Sequence, residues 1–256
     1  METSGKAVIV TGGASGLGLA TVENLVAKGA KVVIFDVNEE AAQAVCRDSG
    51  GNVSYAIVDV TNEASVAAGI SKTMDSLGAI HVCVNCAGIA PSQKTVGKAG
   101  VMPIENFKKA IEINLIGTFN VLRLAAAEMA KNEPVSQSGE RGVIINTASA
   151  AAFDGQMGQA AYAASKAGVA GMTLPIARDL SSLGIRINTI APGAFRTSMT
   201  GGMPDKVVEK LESIIEFPKR MGNPSEYAAL AVHIIENEYF NGEVVRLDAA
   251  LRMPPR

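Results

Sequence analysis

The chain has 256 residues, 48% of them hydrophobic and 19% charged, with a formal net charge of −2. That length suits one α/β core, and so balanced a charge offers no basic field to gather nucleic acid or an acidic membrane. No apolar run reaches the roughly 18 to 20 residues that cross a bilayer. Only METSG precedes the first apolar strand, so no signal peptide or mitochondrial presequence is expected and the reading is a cytoplasmic protein.

In chain order, short β-branched runs alternate with longer helical patterns, the signature of parallel βαβ units. Strands are predicted over 7–11 (AVIVT), 31–36 (KVVIFD), 53–58 (VSYAIV), 80–84 (IHVCV), 143–147 (VIINT), 185–190 (IRINTI) and 243–247 (EVVRL). Helices are predicted over 16–28, 39–48, 63–77, 104–131, 160–182 and 224–236, with a weaker one over 203–216. Gly29, Gly78 and Gly184 stand where helices should stop. Two segments break the rhythm: 90–103 (APSQKTVGKAGVMP) is a loop after the fourth strand, and 192–223 interrupts the run between the sixth and seventh. Both leave strand C-terminal ends, where open α/β sheets bind ligands.

The first strand runs straight into TGGASGLG, where Gly12, Gly16 and Gly18 open a helix. Glycine there lets the backbone turn sharply and approach a pyrophosphate, which sits on the free N–H groups of the helix N-terminus. Asp36 ends the second strand, placed to accept hydrogen bonds from ribose hydroxyls, and its charge would meet a 2′-phosphate with no Lys or Arg in the glycine loop to compensate. NAD is therefore expected rather than NADP. Asp59 ends the third strand, where it can meet the adenine or simply begin a helix, and Asn85, Cys86, Ala87 and Gly88 close the fourth as a cofactor edge or a plain turn.

Cys83 and Cys86 form CVNC, which invites a redox or metal reading. Residues three apart on a strand face opposite sides of the sheet, no second cysteine pair is present, and His81 and His233 lack ligand spacing. Reduced, mostly buried thiols and no metal are expected.

Tyr162 and Lys166 lie one helical turn apart in YAASK, thirteen residues after Ser149 in VIINTAS. A tyrosine of reference pKa about 10 becomes a usable acid or base near neutrality when a cation lies close. Lys166 at i+4 is expected to supply that charge. Ser149 would hold the substrate oxygen.

With the glycine loop, VNCAG and the Ser149, Tyr162, Lys166 set together, the chain resembles the classical short-chain dehydrogenase/reductase family along essentially its whole length. TGGASGLGLAT, RGVIINTASAAAF, GMTLPIARDL, IAPGAF and NGEVVRLDAALRM carry a narrower likeness to its members acting on 3-hydroxyacyl-CoA thioesters and hydroxysteroids. The resemblance implies a single Rossmann domain over 1–256 with a seven-stranded, doubly wound parallel sheet, a homotetramer, and NAD-linked interconversion of a secondary alcohol and a ketone. It implies that Tyr162 is the general acid/base, Lys166 its pKa-lowering partner and a ribose ligand, Ser149 the substrate donor, and Asn114 the residue whose main chain holds a water in a proton relay. It further implies that Ser15, Leu17, Asp36, Asp59, Val60, Cys86, Pro192, Gly193, Phe195 and Thr197 contact the dinucleotide. Arg196 departs from the family pattern, standing where a small residue is expected. The readings kept beside an acyl-CoA or hydroxysteroid dehydrogenase are a 3-oxoacyl carrier-protein reductase and, from another class, an NAD-binding scaffold. Lys94, Lys98, Arg196, Lys206 and Lys210 are expected to offer exposed cations to the phosphates of a CoA substrate.

Overall fold

The computed structural model describes residues 1–197, 200–202 and 204–255. In chain order the elements are β1 (Ala7–Thr11), α1 (Gly16–Ala27), β2 (Lys31–Asp36), α2 (Glu39–Asp48), β3 (Val53–Ile57), α3 (Glu63–Leu77), β4 (Val82–Asn85), β5 (Val96–Gly97), β6 (Gly100–Val101), α4 (Ile104–Ile111), α5 (Gly117–Met129), β7 (Gly142–Thr147), α6 (Ala160–Leu180), β8 (Ile185–Pro192), α7 (Asp205–Ser213), α8 (Pro224–Glu236) and β9 (Val244–Leu247). Seven strands form one parallel sheet in the order β3-β2-β1-β4-β7-β8-β9. The order reverses direction at β1 and β4, which opens a crevice beyond their C-terminal ends.

Strand residues alternate between two cores because both faces of the sheet are covered. Val8, Val10, Ile34, Val84 and Ile145 pack with Val22 and Leu25 of α1, Ala42 of α2 and Ala231 and Ile235 of α8. Ile9, Val33, Phe35, Cys83 and Ile144 pack with Ile70 of α3, Val121 and Leu122 of α5 and Ile176 of α6. Each such aliphatic side chain contributes about 1.5–3 kcal/mol on burial. The glycine stops at Gly29 (φ +83°), Gly78 (φ +72°) and Gly184 (φ +70°) are all left-handed.

Several sequence expectations are corrected. The helix read as unbroken over 104–131 ends at Met129 and contains a π-turn, Glu112–Ile116, between α4 and α5. Residues 90–103 are not a plain loop but carry the antiparallel pair β5–β6. β8 runs on to Pro192, whose missing N–H is tolerated at the strand's last residue, where it pairs with Leu247. β3 ends at Ile57, while β4 is shifted to Val82–Asn85. The Ile104–Met129 helix has an 18-residue stretch of mean hydropathy 1.3, enough by length and composition to cross a bilayer, against the expectation that no stretch qualifies. Half of that stretch is buried in the fold, where α5 packs on α3, β4 and β7. Ser198, Met199 and Met203 of the 192–223 excursion lie outside the described residues, so the helix expected over 203–216 is described as α7 alone.

Candidate active site

Where β1 meets the crevice, Gly12 takes φ +62°, and a Cβ on it would lie 2.9 Å from the Ala87 backbone nitrogen. Only glycine meets both demands. A Cβ on Gly18 would sit 2.2 Å from the Gly12 carbonyl oxygen, so α1 begins flush against the turn. Ser15 precedes α1 without capping it, and the first turn carries no carboxylate. α2 and α3, by contrast, are capped by Asn38 and Asn62. An uncapped helix start against a glycine cradle is the local geometry a pyrophosphate needs. A Cβ on Gly16 would lie 3.5 Å from Thr197 Cβ, so the start of the 192–223 excursion leans over this loop.

Asp36 is held beside the cradle by two backbone amides: Ala14 N–H donates to Oδ2 at 3.1 Å and Asn38 N–H to Oδ1 at 3.0 Å. That fixes a carboxylate where ribose hydroxyls could reach its remaining lone pairs. These residues fit a dinucleotide. The other strand ends contribute less directly. Asp59 Oδ1 accepts from the Thr61 N–H and hydroxyl at 2.9 and 2.7 Å, a local turn that leads into the α3 cap. Val60 is buried, and its carbonyl accepts from Asn120 Nδ2 at 3.0 Å. Asn85 turns its amide into the sheet, where Nδ2 donates to Asn146 Oδ1 at 2.9 Å, so only its backbone borders the crevice. Leu17 packs against the core.

The 192–223 excursion also departs from expectation. Pro192 ends β8, and Gly193 N–H donates to the Leu247 carbonyl at 2.9 Å. The Phe195 ring is 7% exposed, packed in the core where a Cβ on Gly222 would meet it at 2.7 Å, and its carbonyl accepts from Thr200 Oγ1 at 3.0 Å. Arg196 is not a free cation: Nη2 donates to Glu212 Oε1 of α7 at 2.9 Å. Lys94, Lys98, Lys206 and Lys210 are exposed.

The four residues expected to carry the chemistry converge at the C-terminal ends of β4 and β7. Ser149, just past β7, accepts the Ala151 N–H at 3.1 Å through Oγ and caps a single 3₁₀ turn. Asn114 sits in the π-turn, fully buried; its Oδ1 accepts Ile89 N–H at 2.8 Å, and its Nδ2 donates to Ile89 O at 2.9 Å and Ser165 Oγ at 3.0 Å. Its main-chain carbonyl accepts from Thr118 Oγ1 at 2.8 Å. The extra residue of a π-turn is a recurrent feature of functional sites, and here it presents Asn114 to the turn after β4. A Cβ on Gly88 would come within 3.0 Å of Asn114 Oδ1 and 3.5 Å of Lys166 Nζ, so both side chains bear on that turn.

Tyr162 and Lys166 do project from the same face of α6, with Nζ 6.0 Å from the Tyr162 ring centroid. The expected effect of Lys166 on Tyr162 is corrected. Burial pushes the Tyr162 hydroxyl above the ordinary tyrosine value, opposed only by its hydrogen bond with Ser149. Lys166, 5% exposed, donates to the Thr147 carbonyl at 2.7 Å, and burial lowers its own pKa to about 8. At 6.0 Å from the ring centroid and committed to another acceptor, it does not offset the desolvation of the tyrosine. Cys83 and Cys86 belong to opposite faces of the sheet as expected, and burial pushes the Cys83 thiol up to about 12.

Sequence reasoning missed Thr147 and Tyr227. Thr147 Oγ1 and Tyr227 OH lie 2.7 Å apart, with Cys86 Sγ 3.5 Å from the first and 3.7 Å from the second. The only sequence signal was a polar group inside each of two apolar runs, IINT and EYAALAV.

A glycine cradle at a helix start, an anchored carboxylate and a serine–tyrosine–lysine group at one sheet edge define a nicotinamide-dependent oxidoreductase acting on alcohols and ketones. A model of the short chain dehydrogenase family matches residues 6–207. The chain is similar to 3-hydroxyacyl-CoA dehydrogenase type-2 of Bos taurus, 53% identical over 99% of this chain and 98% of that one, and to the Drosophila melanogaster protein of the same name, 53% identical over 96% and 97%. The crystal structure of 3-hydroxyacyl-CoA dehydrogenase type-2 from Mycobacterium avium superposes with a TM-score of 0.93 at 43% identity, covering 98% of this chain and 97% of that one. The chain belongs to the short-chain dehydrogenase family.

Proposed function

We propose that this chain is an NAD-dependent dehydrogenase interconverting (S)-3-hydroxyacyl-CoA and 3-oxoacyl-CoA, with hydroxysteroids as a further substrate class. The observation that carries the substrate reading is near-full-length similarity, at 53% identity, to proteins named for that activity. The Asp36 carboxylate, fixed by Ala14 and Asn38 beside an uncapped α1, supports NAD over NADP by charge. A homotetramer is the assembly the family resemblance implies, and exposed apolar side chains at Ile116, Phe119 and Leu174 offer surface for contact between copies.

When bound, the nicotinamide supplies hydride transfer. The chain's own residues handle the substrate oxygen. Ser149 holds it by a hydrogen bond, and Tyr162 exchanges the proton with it. Because burial keeps the Tyr162 hydroxyl protonated at neutral pH, the site is poised to donate a proton to a ketone. Alcohol oxidation needs the hydroxyl deprotonated first, so its rate is expected to rise with pH above neutrality. Lys166, held by the Thr147 carbonyl on the same helix face as Tyr162, is placed to reach the ribose of a bound dinucleotide, while Asn114 fixes the turn after β4 through Ile89.

The test is initial rates on acetoacetyl-CoA, a β-ketoacyl carrier protein and a ketosteroid, each with NADH and NADPH. Highest kcat/KM for acetoacetyl-CoA with NADH is expected. A best rate on the carrier protein with NADPH would replace this reading with a 3-oxoacyl carrier-protein reductase. Nicotinamide binding without turnover of any substrate would leave a binding scaffold.

A further inference from the structure

We propose that Tyr227 of α8 is a positioning residue for the Lys166 ammonium, acting through Thr147 across the sheet. This rests on the roles given above to Tyr162 and Lys166.

Tyr227 is fully buried and the largest such side chain among the described residues. Phenylalanine would fill nearly the same space in that apolar cluster without burying a hydroxyl, so packing alone does not call for tyrosine. The hydroxyl meets Thr147 Oγ1 at 2.7 Å, its shortest contact, with Cys86 Sγ further off at 3.7 Å. Thr147 is the last residue of β7, and its side chain points to the α8 side, in phase with Val143 and Ile145. Its carbonyl serves the other side of the sheet, accepting from Lys166 Nζ at 2.7 Å. The next amide, Ala148 N–H, donates to the Ile190 carbonyl at 2.8 Å. The Thr147–Ala148 peptide group is thus pinned by β8 on its N–H side and by Tyr227 through the Thr147 side chain.

That peptide sets where the ammonium sits. Among the described residues Lys166 has no carboxylate partner and one hydrogen-bond acceptor. The titratable groups near it are Tyr162 on its own helix and Cys86 after β4, with Tyr227 behind Thr147. If the Thr147 carbonyl swings, the ammonium moves relative to Tyr162, and proton transfer changes while the glycine cradle and Asp36 stay in place.

The test compares Tyr227→Phe, Thr147→Val, their double variant and Thr147→Ser in the purified enzyme, measuring kcat, KM for NADH, the pH profile of kcat from 6 to 10, and melting temperature. Tyr227→Phe is expected to lower kcat about threefold to tenfold, the scale of one hydrogen bond, with KM for NADH rising by less than kcat falls, since Lys166 also serves the ribose, and with the pH profile displaced. Thr147→Val should reproduce this, the double variant should be no worse than either single one, and Thr147→Ser should restore the wild-type profile. A Tyr227→Phe enzyme that melts earlier but keeps wild-type kcat and pH profile would overturn the proposal, as would additive losses in the double variant. Lys166→Met serves as the control: if it retains full turnover, the catalytic roles fail and this proposal with them, whereas an inactive Lys166→Met beside an unaltered Tyr227→Phe defeats only the link through Thr147. Should Thr147→Val not fold, Tyr227→Phe and Thr147→Ser alone decide the matter by the same profile.

Discussion

Arg186 and Lys166 are both buried cations, and the fold treats them in opposite ways. Arg186, at the N-terminal end of β8, donates through Nε to Glu140 at 2.8 Å, through Nη1 to the Ile234 and Phe240 carbonyls and through Nη2 to the Ile235 carbonyl, each at 2.8 Å. Glu140, itself 4% exposed, pairs with it and also with the Met1 ammonium at 2.9 Å. Lys166, at the C-terminal end of the sheet, has among the described residues the Thr147 carbonyl alone and is held down at about 8. A fully partnered cation at one edge serves stability. At the other edge, a cation buried without a counter-charge costs stability and is kept for chemistry.

Replacement of each cation by methionine should separate the two roles most sharply. Lys166→Met is expected to cut turnover by at least about 10²-fold and yet melt no earlier than wild type at pH 7, because about 3 kcal/mol of burial cost is removed against the loss of one hydrogen bond. The folded-state pKa of Lys166 is depressed, so that cost is complete below about pH 8 and fades as pH rises toward 10.5. Wild type should therefore gain on the variant between those values, which melting curves at pH 7 and 9.5 would record. A much lower melting temperature for the variant at pH 7 would break the contrast.

Arg186→Met should do the reverse. It leaves buried Glu140 with the Met1 ammonium at 2.9 Å as its remaining counter-charge and strips the Arg186 hydrogen bonds to three carbonyls, an expected loss of up to about 3–5 kcal/mol visible in urea unfolding, while kcat per folded molecule stays at the wild-type value. A stable variant with reduced kcat would mean that the N-terminal edge also governs the reaction.

The smallest of these effects concerns Asp36, a charge at the functional edge that is anchored by two backbone amides. Asp36→Ala is expected to reduce the NADH over NADPH preference in kcat/KM by about one to two decades, the scale of one or two charge-assisted hydrogen bonds, with little change in stability. An unchanged preference would free Asp36 from the cofactor reading.

What could be read from the sequence was local. β1, β2, α1 and α3 announce themselves by β-branched runs, helical spacing and the glycine stops at Gly29 and Gly78, and Gly12, Gly18 and Asp36 follow from the turn and strand end they occupy. Tyr162 and Lys166 are legible because helical spacing alone puts them on one face. The π-turn at Asn114 was hidden because one inserted residue leaves no mark in helical spacing, and the hydrogen bonds that hold Asn114 there reach Ile89 in the loop after β4. Tyr227 was hidden for the same reason, since its partner Thr147 belongs to a strand far away in the chain. The sign of the Tyr162 shift was misjudged because spacing gives proximity to Lys166 but says nothing about burial, which dominates both groups.

The most direct test of the account is Tyr162→Phe, which keeps the ring and removes the proton carrier. Fluorescence titration should place NADH binding within a few-fold of wild type, while kcat on acetoacetyl-CoA falls by at least about 10²-fold. Turnover retained at the wild-type level, or binding and turnover lost together, would contradict the assignment of Tyr162 as the group that exchanges the substrate proton.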